Sequence, residues 1–170
     1  MGNFSFMQLN PTQTTTLLPQ MFDILYANMS CIAPTGNSRE EDWRLWQSYM
    51  ASEQNKAQVI LMYADDTLAG YFQYRIEGDT LCADEIEIRP QYQRTFLFYR
   101  FLRYAAQNLP MKLSRVKAYI NKQNLNSQAI ADKLGLRPVG ENKSGRSWLY
   151  EGEMDGLARR FCGTKGPIGA

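Results

Sequence analysis

Glu85 and Glu87 stand two residues apart in the run LCADEIEIRPQYQRTFLFYRFLRYAAQNL, Leu81 to Leu109. Strand alternation places both carboxylates on one face and Ile86 and Ile88 on the other. Arg89-Pro90 ends that strand, because proline supplies no ladder donor. From Gln91 the pattern turns helical, with Phe98, Phe101, Leu102, Ala105 and Ala106 at three- and four-residue steps. A strand that runs through a short turn into a helix presents backbone N–H groups at the helix start, which suits an anion such as phosphate. The chain contains no histidine. That removes histidine triads, histidine metal sites and imidazole acid–base chemistry, so any proton transfer falls to Asp, Glu, Tyr, Cys, Lys, a backbone group or water.

Other reactive residues carry weaker signals. The three cysteines, Cys31, Cys82 and Cys162, lie far apart with no CxxC spacing. They support neither a zinc site nor a disulfide framework, and a reducing compartment is the simpler reading. Cys82 falls inside a strand, where it reads as a small buried hydrophobe rather than the thiolate of a hydrolase. Arg89, Arg94, Arg100 and Arg103 crowd the strand–turn–helix. Their guanidinium groups suit phosphate oxygens, and the plain alternative is a solvated helix flank.

The elements that must position these residues follow from periodicity. Phe4 to Leu9 alternates as a first strand. Pro11 and Thr14 to Thr16 offer turn and cap chemistry before a helix from Leu17 to Met29, whose Leu18, Met21, Phe22, Leu25 and Met29 share a face. Ser38-Arg39-Glu40-Glu41 is a capping-box pattern. The helix it opens is rich in Trp43, Leu45, Trp46, Tyr49 and Met50, a stripe for core packing or for the wall of a pocket. Gln58 to Tyr63, Thr67 to Ile76 and the strand from Leu81 are separated by Asp65-Asp66 and Glu77-Gly78-Asp79, and read as an antiparallel meander. Gly70, inside the middle strand, marks a bulge or a close approach. Pro110 breaks the pattern after the long helix. Ser114 to Ile120 is a strand, and Ser127 to Leu134 a short helix with Ile130 and Leu134 inward, capped by Gly135. Val139 to Lys143 and Arg146 to Glu151 are strands about a turn at Ser144-Gly145.

The 170 residues, 44% hydrophobic and 21% charged, fit one globular domain over residues 1–154 with a loose tail over 155–170. A net charge of +2 gives no case for a nucleic-acid binder. No apolar run approaches a membrane span, and neither a signal peptide nor a myristoylation pattern is present, so a cytoplasmic protein is expected.

The element order resembles that of the GNAT superfamily, the acyl-coenzyme A-dependent N-acyltransferases. Two stretches carry the likeness, Ile86 to Leu102 (IEIRPQYQRTFLFYRFL) and Asn124 to Glu141 (NLNSQAIADKLGLRPVGE). The resemblance implies an α/β fold of the α+β kind, a single domain with a mixed, mostly antiparallel sheet flanked by helices. It implies transfer of an acetyl or other acyl group from acyl-coenzyme A to a primary amine, by direct attack in a ternary complex and with no metal. Acetyl-coenzyme A would set its pyrophosphate on the backbone of Gln93, Arg94, Thr95, Phe96, Leu97 and Phe98. Its pantetheine would pair with Ile86 and Ile88, in a splay between the fourth and fifth strands, and Asn124 would touch the cofactor arm. Glu85 or Glu87 would be the base, the plain alternative being a solvated strand face. The acceptor would be a small-molecule or peptide amine, with no nucleic acid or membrane partner, and a homodimer is left open. Two departures stand out. Phe96 and Phe98 fall where the family has glycines, and Ala131 falls where it often has a tyrosine acid, with Tyr104, Tyr119 and Tyr150 as substitutes. The rival reading is a non-catalytic binding or regulatory module of the same fold with a closed coenzyme site.

Overall fold

The meander forms as its sequence pattern requires. In the computed structural model, which describes residues 3–9, 15–53, 57–93, 96–109 and 112–156, strands β1 (Phe4–Leu9), β2 (Gln58–Ala64), β3 (Thr67–Glu77) and β4 (Thr80–Ile88) are followed by β5 (Arg115–Asn121), β6 (Arg137–Glu141) and β7 (Ser147–Glu153). The helices are α1 (Leu18–Met29), α2 (Arg39–Glu53), α3 (Leu97–Asn108) and α4 (Leu125–Lys133). The seven strands order as β1-β2-β3-β4-β5-β7-β6. Pairs β1–β2, β2–β3, β5–β7 and β6–β7 are antiparallel. This is the expected α/β class. The expected turn at Pro11, the break at Pro110 and the tail beyond Gly156 lie outside the described residues.

Two compact units hold these elements: residues 1–75 with 83–98, and 76–82 with 99–170. In the first unit, α1 and α2 lay Leu18, Met21, Phe22, Ile24, Trp46 and Met50 onto Val59, Leu61, Leu68 and Tyr71 of the sheet. Burying side chains of this size contributes roughly 1.5–3 kcal/mol each. The inward face of α1 is rotated from the expected one. Ile24 is fully buried while Leu25 and Met29 are only half-buried. The capping box of α2 is made in both directions, Glu41 N–H to Ser38 Oγ at 3.2 Å and Ser38 N–H to Glu41 Oε2 at 2.8 Å. The stripe on α2 divides. Trp46 and Met50 pack inward, while Leu45 and Tyr49 are exposed.

Gly70 meets both halves of its expectation. The β2–β3 register slips beside it, between Met62 and Tyr63. A Cβ at Gly70 would lie 2.4 Å from the Glu87 carbonyl oxygen and 3.1 Å from Ile88 Cα, so only glycine lets β4 come this close. Arg89 fastens the same point. Its backbone N–H reaches Ala69 O at 2.8 Å and its Nε reaches Leu68 O at 2.6 Å.

Three boundaries differ from the sequence reading. Pro90 opens a 3-10 turn, Pro90–Tyr92, so α3 begins at Leu97 and not near Gln91. In the second unit α4 begins at Leu125 rather than Ser127, because the Asn124 side chain caps it by accepting from the Ser127 N–H at 3.1 Å. The burial there falls on Ala131 and Leu136, with Ile130 and Leu134 half-buried. β6 runs Arg137–Glu141, earlier than Val139 to Lys143. It is an edge strand, where Pro138 needs no ladder donor. Gly135 takes the expected left-handed cap with φ of 84°.

Candidate active site

On β4 the two carboxylates share the face that Asn28 of α1 and Trp46 of α2 reach. Glu85 and Glu87 are half-buried beneath α1 and α2, while Ile86 between them is 37% exposed. The carboxylate side is therefore no solvated strand face.

Glu85 accepts from Tyr71 Oη at 2.7 Å and from Trp46 Nε1 at 3.1 Å. Glu87 accepts from Asn28 Nδ2 at 2.6 Å. Every one of these donors is uncharged. Among the described residues neither carboxyl meets an arginine or lysine; Arg75 pairs with Asp84 at 2.9 Å and Arg39 with Asp23. Burial without a cation favours the protonated acid. Desolvation accordingly raises Glu85 above its ordinary 4.5, against the lowering pull of its two donors. Glu87 is pushed up to about 8, first by desolvation and then by the charge of Glu85, with the Asn28 hydrogen bond opposing. Tyr71 is fully buried, and desolvation followed by the two glutamates lifts its hydroxyl well above 10, so it stays a donor.

Asn28 does more than reach Glu87. Its Nδ2 also donates to Ile88 O at 3.0 Å, and its Oδ1 accepts from Gln93 Nε2 at 2.9 Å. Gln93 Nε2 donates in addition to Ile88 O at 2.9 Å. The Gln93 backbone N–H is turned to Pro90 O at 3.3 Å, inside the 3-10 turn. Of the remaining loop residues, Arg94 and Thr95 lie outside the described residues. Phe96 is 76% exposed, Leu97 is fully buried and Phe98 is half-buried. Ile88 is buried, and its carbonyl is held by the two side-chain amides.

The remaining candidates are dispersed. Asn124 sits at the head of α4 in the second unit, its side-chain oxygen on the Ser127 N–H. Tyr119 is exposed, Tyr104 half-buried and Tyr150 buried, with desolvation first in raising the Tyr150 hydroxyl. Cys82 is buried, as its strand position suggested. Arg100 and Arg103 are exposed. Among the described residues no cluster of three or more His, Cys, Asp or Glu side chains could hold a metal, and no helix is long and apolar enough to cross a membrane.

Sequence reasoning missed Asn28 and Tyr71, and took Gln93 for a backbone contact only. A signal for Asn28 was present: a lone amide near the end of an apolar helix needs a polar partner. Gln73, two residues beyond Tyr71 and on the same face of β3, was also unflagged. It is fully buried, and neither of its amide atoms has a partner among the described residues.

Comparison with known proteins places this geometry on a familiar scaffold. No family model and no curated protein matches the sequence. Solved structures do match. An N-acetyltransferase from Thermoplasma acidophilum, PaiA, in complex with coenzyme A, superposes with a TM-score of 0.70 at 16% identity, over 89% of this chain and 99% of the other. An acetyltransferase from Thermus thermophilus gives a TM-score of 0.68 at 18% identity, over 90% and 99%. A GNAT family acetyltransferase from Bacillus cereus gives 0.58 at 13%, over 89% and 98%. The fold of this chain is that of the GNAT acetyltransferases.

Proposed function

We propose that the protein transfers an acetyl or similar acyl group from acyl-coenzyme A to a primary amine, with Glu87 as the base. The observation that carries the reading is a half-buried carboxyl on β4, held by one neutral amide and raised to about 8, in a fold shared with acetyltransferases. A base of that strength matches the task. An amine arrives as its ammonium and must lose a proton before it can attack.

When bound, the acyl thioester would supply the carbonyl that the amine attacks. As the C–N bond forms the C–S bond breaks, and coenzyme A leaves as its thiolate. The proton that the nitrogen sheds on becoming an amide passes to that sulfur, directly or through water. Glu87 takes the proton from the ammonium, directly or through one water. Glu85 stays fixed by Tyr71 and Trp46, and its charge state tunes Glu87. A backbone N–H of β4 aimed at the carbonyl oxygen would supply electrostatic stabilisation. Holding the two reactants together supplies much of the remaining rate.

The grip on the diphosphate falls to residues 94–98, since the Gln93 amide is committed to Pro90. The Phe96 side chain is 76% exposed, so it is not packed into the protein core. The strand backbone near Ile86 completes the proposed coenzyme contacts of this unit. The acceptor is an amine of small-molecule or peptide origin.

The commitment of Gln93 to Asn28 and Pro90 also favours a second reading, a binding module of the same fold that has lost the coenzyme. Isothermal titration with acetyl-coenzyme A discriminates. Micromolar binding, together with release of free thiol in the presence of amines, is expected of the enzyme. No heat at millimolar coenzyme would leave only the module.

A further inference from the structure

The base in this site is aimed by an amide that has itself been aimed. A carboxamide can face a carboxylate in two ways, and only the way that offers N–H is attractive. Asn28 presents Nδ2 to Glu87 Oε2 at 2.6 Å and, with its second hydrogen, to Ile88 O at 3.0 Å. What holds it that way round is its other end. Oδ1 accepts from Gln93 Nε2 at 2.9 Å, and Gln93, an amide whose own nitrogen is pinned to Ile88 O at 2.9 Å, can give only N–H there. A flip of Asn28 would set oxygen against the Glu87 carboxylate and nitrogen against the Gln93 amino group, losing three hydrogen bonds at once. The partners lie on three separate segments: α1, the end of β4, and the turn that leads into residues 94–98.

We infer that Asn28 is the positioning residue for Glu87, and that Gln93 locks Asn28 in the one orientation that serves the base. The inference rests on Glu87 being the base. It gives Gln93 a role other than binding phosphate, and it ties the start of the coenzyme loop to the proton acceptor by two consecutive hydrogen bonds. Loss of the Asn28 donor leaves Glu87 with no hydrogen bond among the described residues, and the carboxylate form loses its stabiliser. The charged and titratable groups facing Glu87 are then Glu85 from its own strand and Tyr71 from β3. From α2 only the uncharged Trp46 enters the cluster, Asp23 on α1 is paired to Arg39, and the Arg89 Nε is bonded to Leu68 O.

The test compares Asn28→Ala, Asn28→Asp and Gln93→Ala with the parent protein. The Glu87 carboxyl is followed by carbon NMR titration, and kcat, the KM for acetyl-coenzyme A and the pH profile are measured in parallel. Asn28→Ala is expected to move the Glu87 titration and the rising pH limb upward together and to lower kcat about 10- to 100-fold, with the coenzyme KM within about twofold. Asn28→Asp, which adds a negative charge at the same place, moves both further. Gln93→Ala moves both in the same direction by a smaller amount. The inference is overturned if Gln93→Ala raises the coenzyme KM while the Glu87 titration stays in place, which is the behaviour of a phosphate contact. It is equally overturned if Asn28→Ala leaves that titration unmoved. Should Asn28→Ala fail to fold, Gln93→Ala reads the same link from an exposed side chain. Glu87→Gln separates the two levels. An unchanged pH limb in that variant sinks the assignment of the base, whereas a lost limb with unmoved Asn28 and Gln93 variants sinks only the lock.

Discussion

A carboxyl buried among neutral donors is costly to ionise, and Glu87 shows how that cost becomes useful. Between the ordinary value of 4.5 and about 8 the folded protein holds a proton there that the unfolded chain has released. The unfolded state therefore binds fewer protons, and stability falls as pH rises through this interval. Below pH 4.5 the Glu87 contribution is fully present, and above about 8 it is gone. Glu85 is shifted in the same direction. Urea melts from about pH 5 to about pH 9 are expected to show the parent losing stability toward the alkaline end. Glu87→Gln, which stays neutral, should lose less, so that the variant gains on the parent as pH rises. The same substitution should lower kcat by about 100-fold or more, the usual contribution of a positioned base, and should flatten the rising limb near about pH 8. A Glu87→Gln enzyme that keeps its full rate at neutral pH removes the base from the mechanism.

Among the elements, β3 and β4 are fitted to each other at one glycine. Gly70→Ala places a methyl group 2.4 Å from the Glu87 carbonyl oxygen, which is backbone and cannot swing aside. Overpacking of this kind costs roughly 1–3 kcal/mol. The denaturation midpoint should drop accordingly, and the displaced strand should carry Glu87 out of reach of Asn28, so activity falls further than stability does. A conservative change in the second unit gives the contrast. At Gly152 an added Cβ would meet the flexible end of Leu136 at 2.6 Å, and Gly152→Ala should cost less. The element order was legible because the strands and helices obey their own periods. Gly70 was legible too, since glycine inside a strand has few explanations. The start of α3 was not. Pro90 permits both a helix opening and a 3-10 turn, and the choice is made by Gln93 reaching back to Asn28 and Ile88, the first of these a contact between residues 65 apart. The face of α1 was misjudged by one residue for a similar reason: packing against β2 and β3 buries Ile24 where the helical stripe alone favours Leu25.

At the scale of the whole molecule, the paired glutamates were found from spacing, but their state was not. Alternation places Glu85 and Glu87 on one face, yet only the covering helices decide whether that face is wet. The aromatic residues of α2 carried the hint, and Trp46 proves to be both core and donor to Glu85. If the protein holds acetyl-coenzyme A as proposed, binding must stabilise the fold by mass action, by about 2.7 kcal/mol at roughly one hundred times the dissociation constant. A thermal melt with saturating acetyl-coenzyme A should rise by several degrees, and Glu87→Gln should rise as much, because the base does not hold the coenzyme. An unshifted melt in both proteins supports the binding module instead.

The indole of Trp46 donates directly to Glu85, while the other two tryptophans, Trp43 and Trp148, bond to neither glutamate. Emission from an indole shifts when a charge appears beside its ring nitrogen. A version of the protein in which Trp46 alone fluoresces, with Trp43→Phe and Trp148→Phe, therefore carries a built-in optical gauge of Glu85. Acceptor amines that come to rest against that carboxyl would announce themselves as a change in colour, with no turnover required.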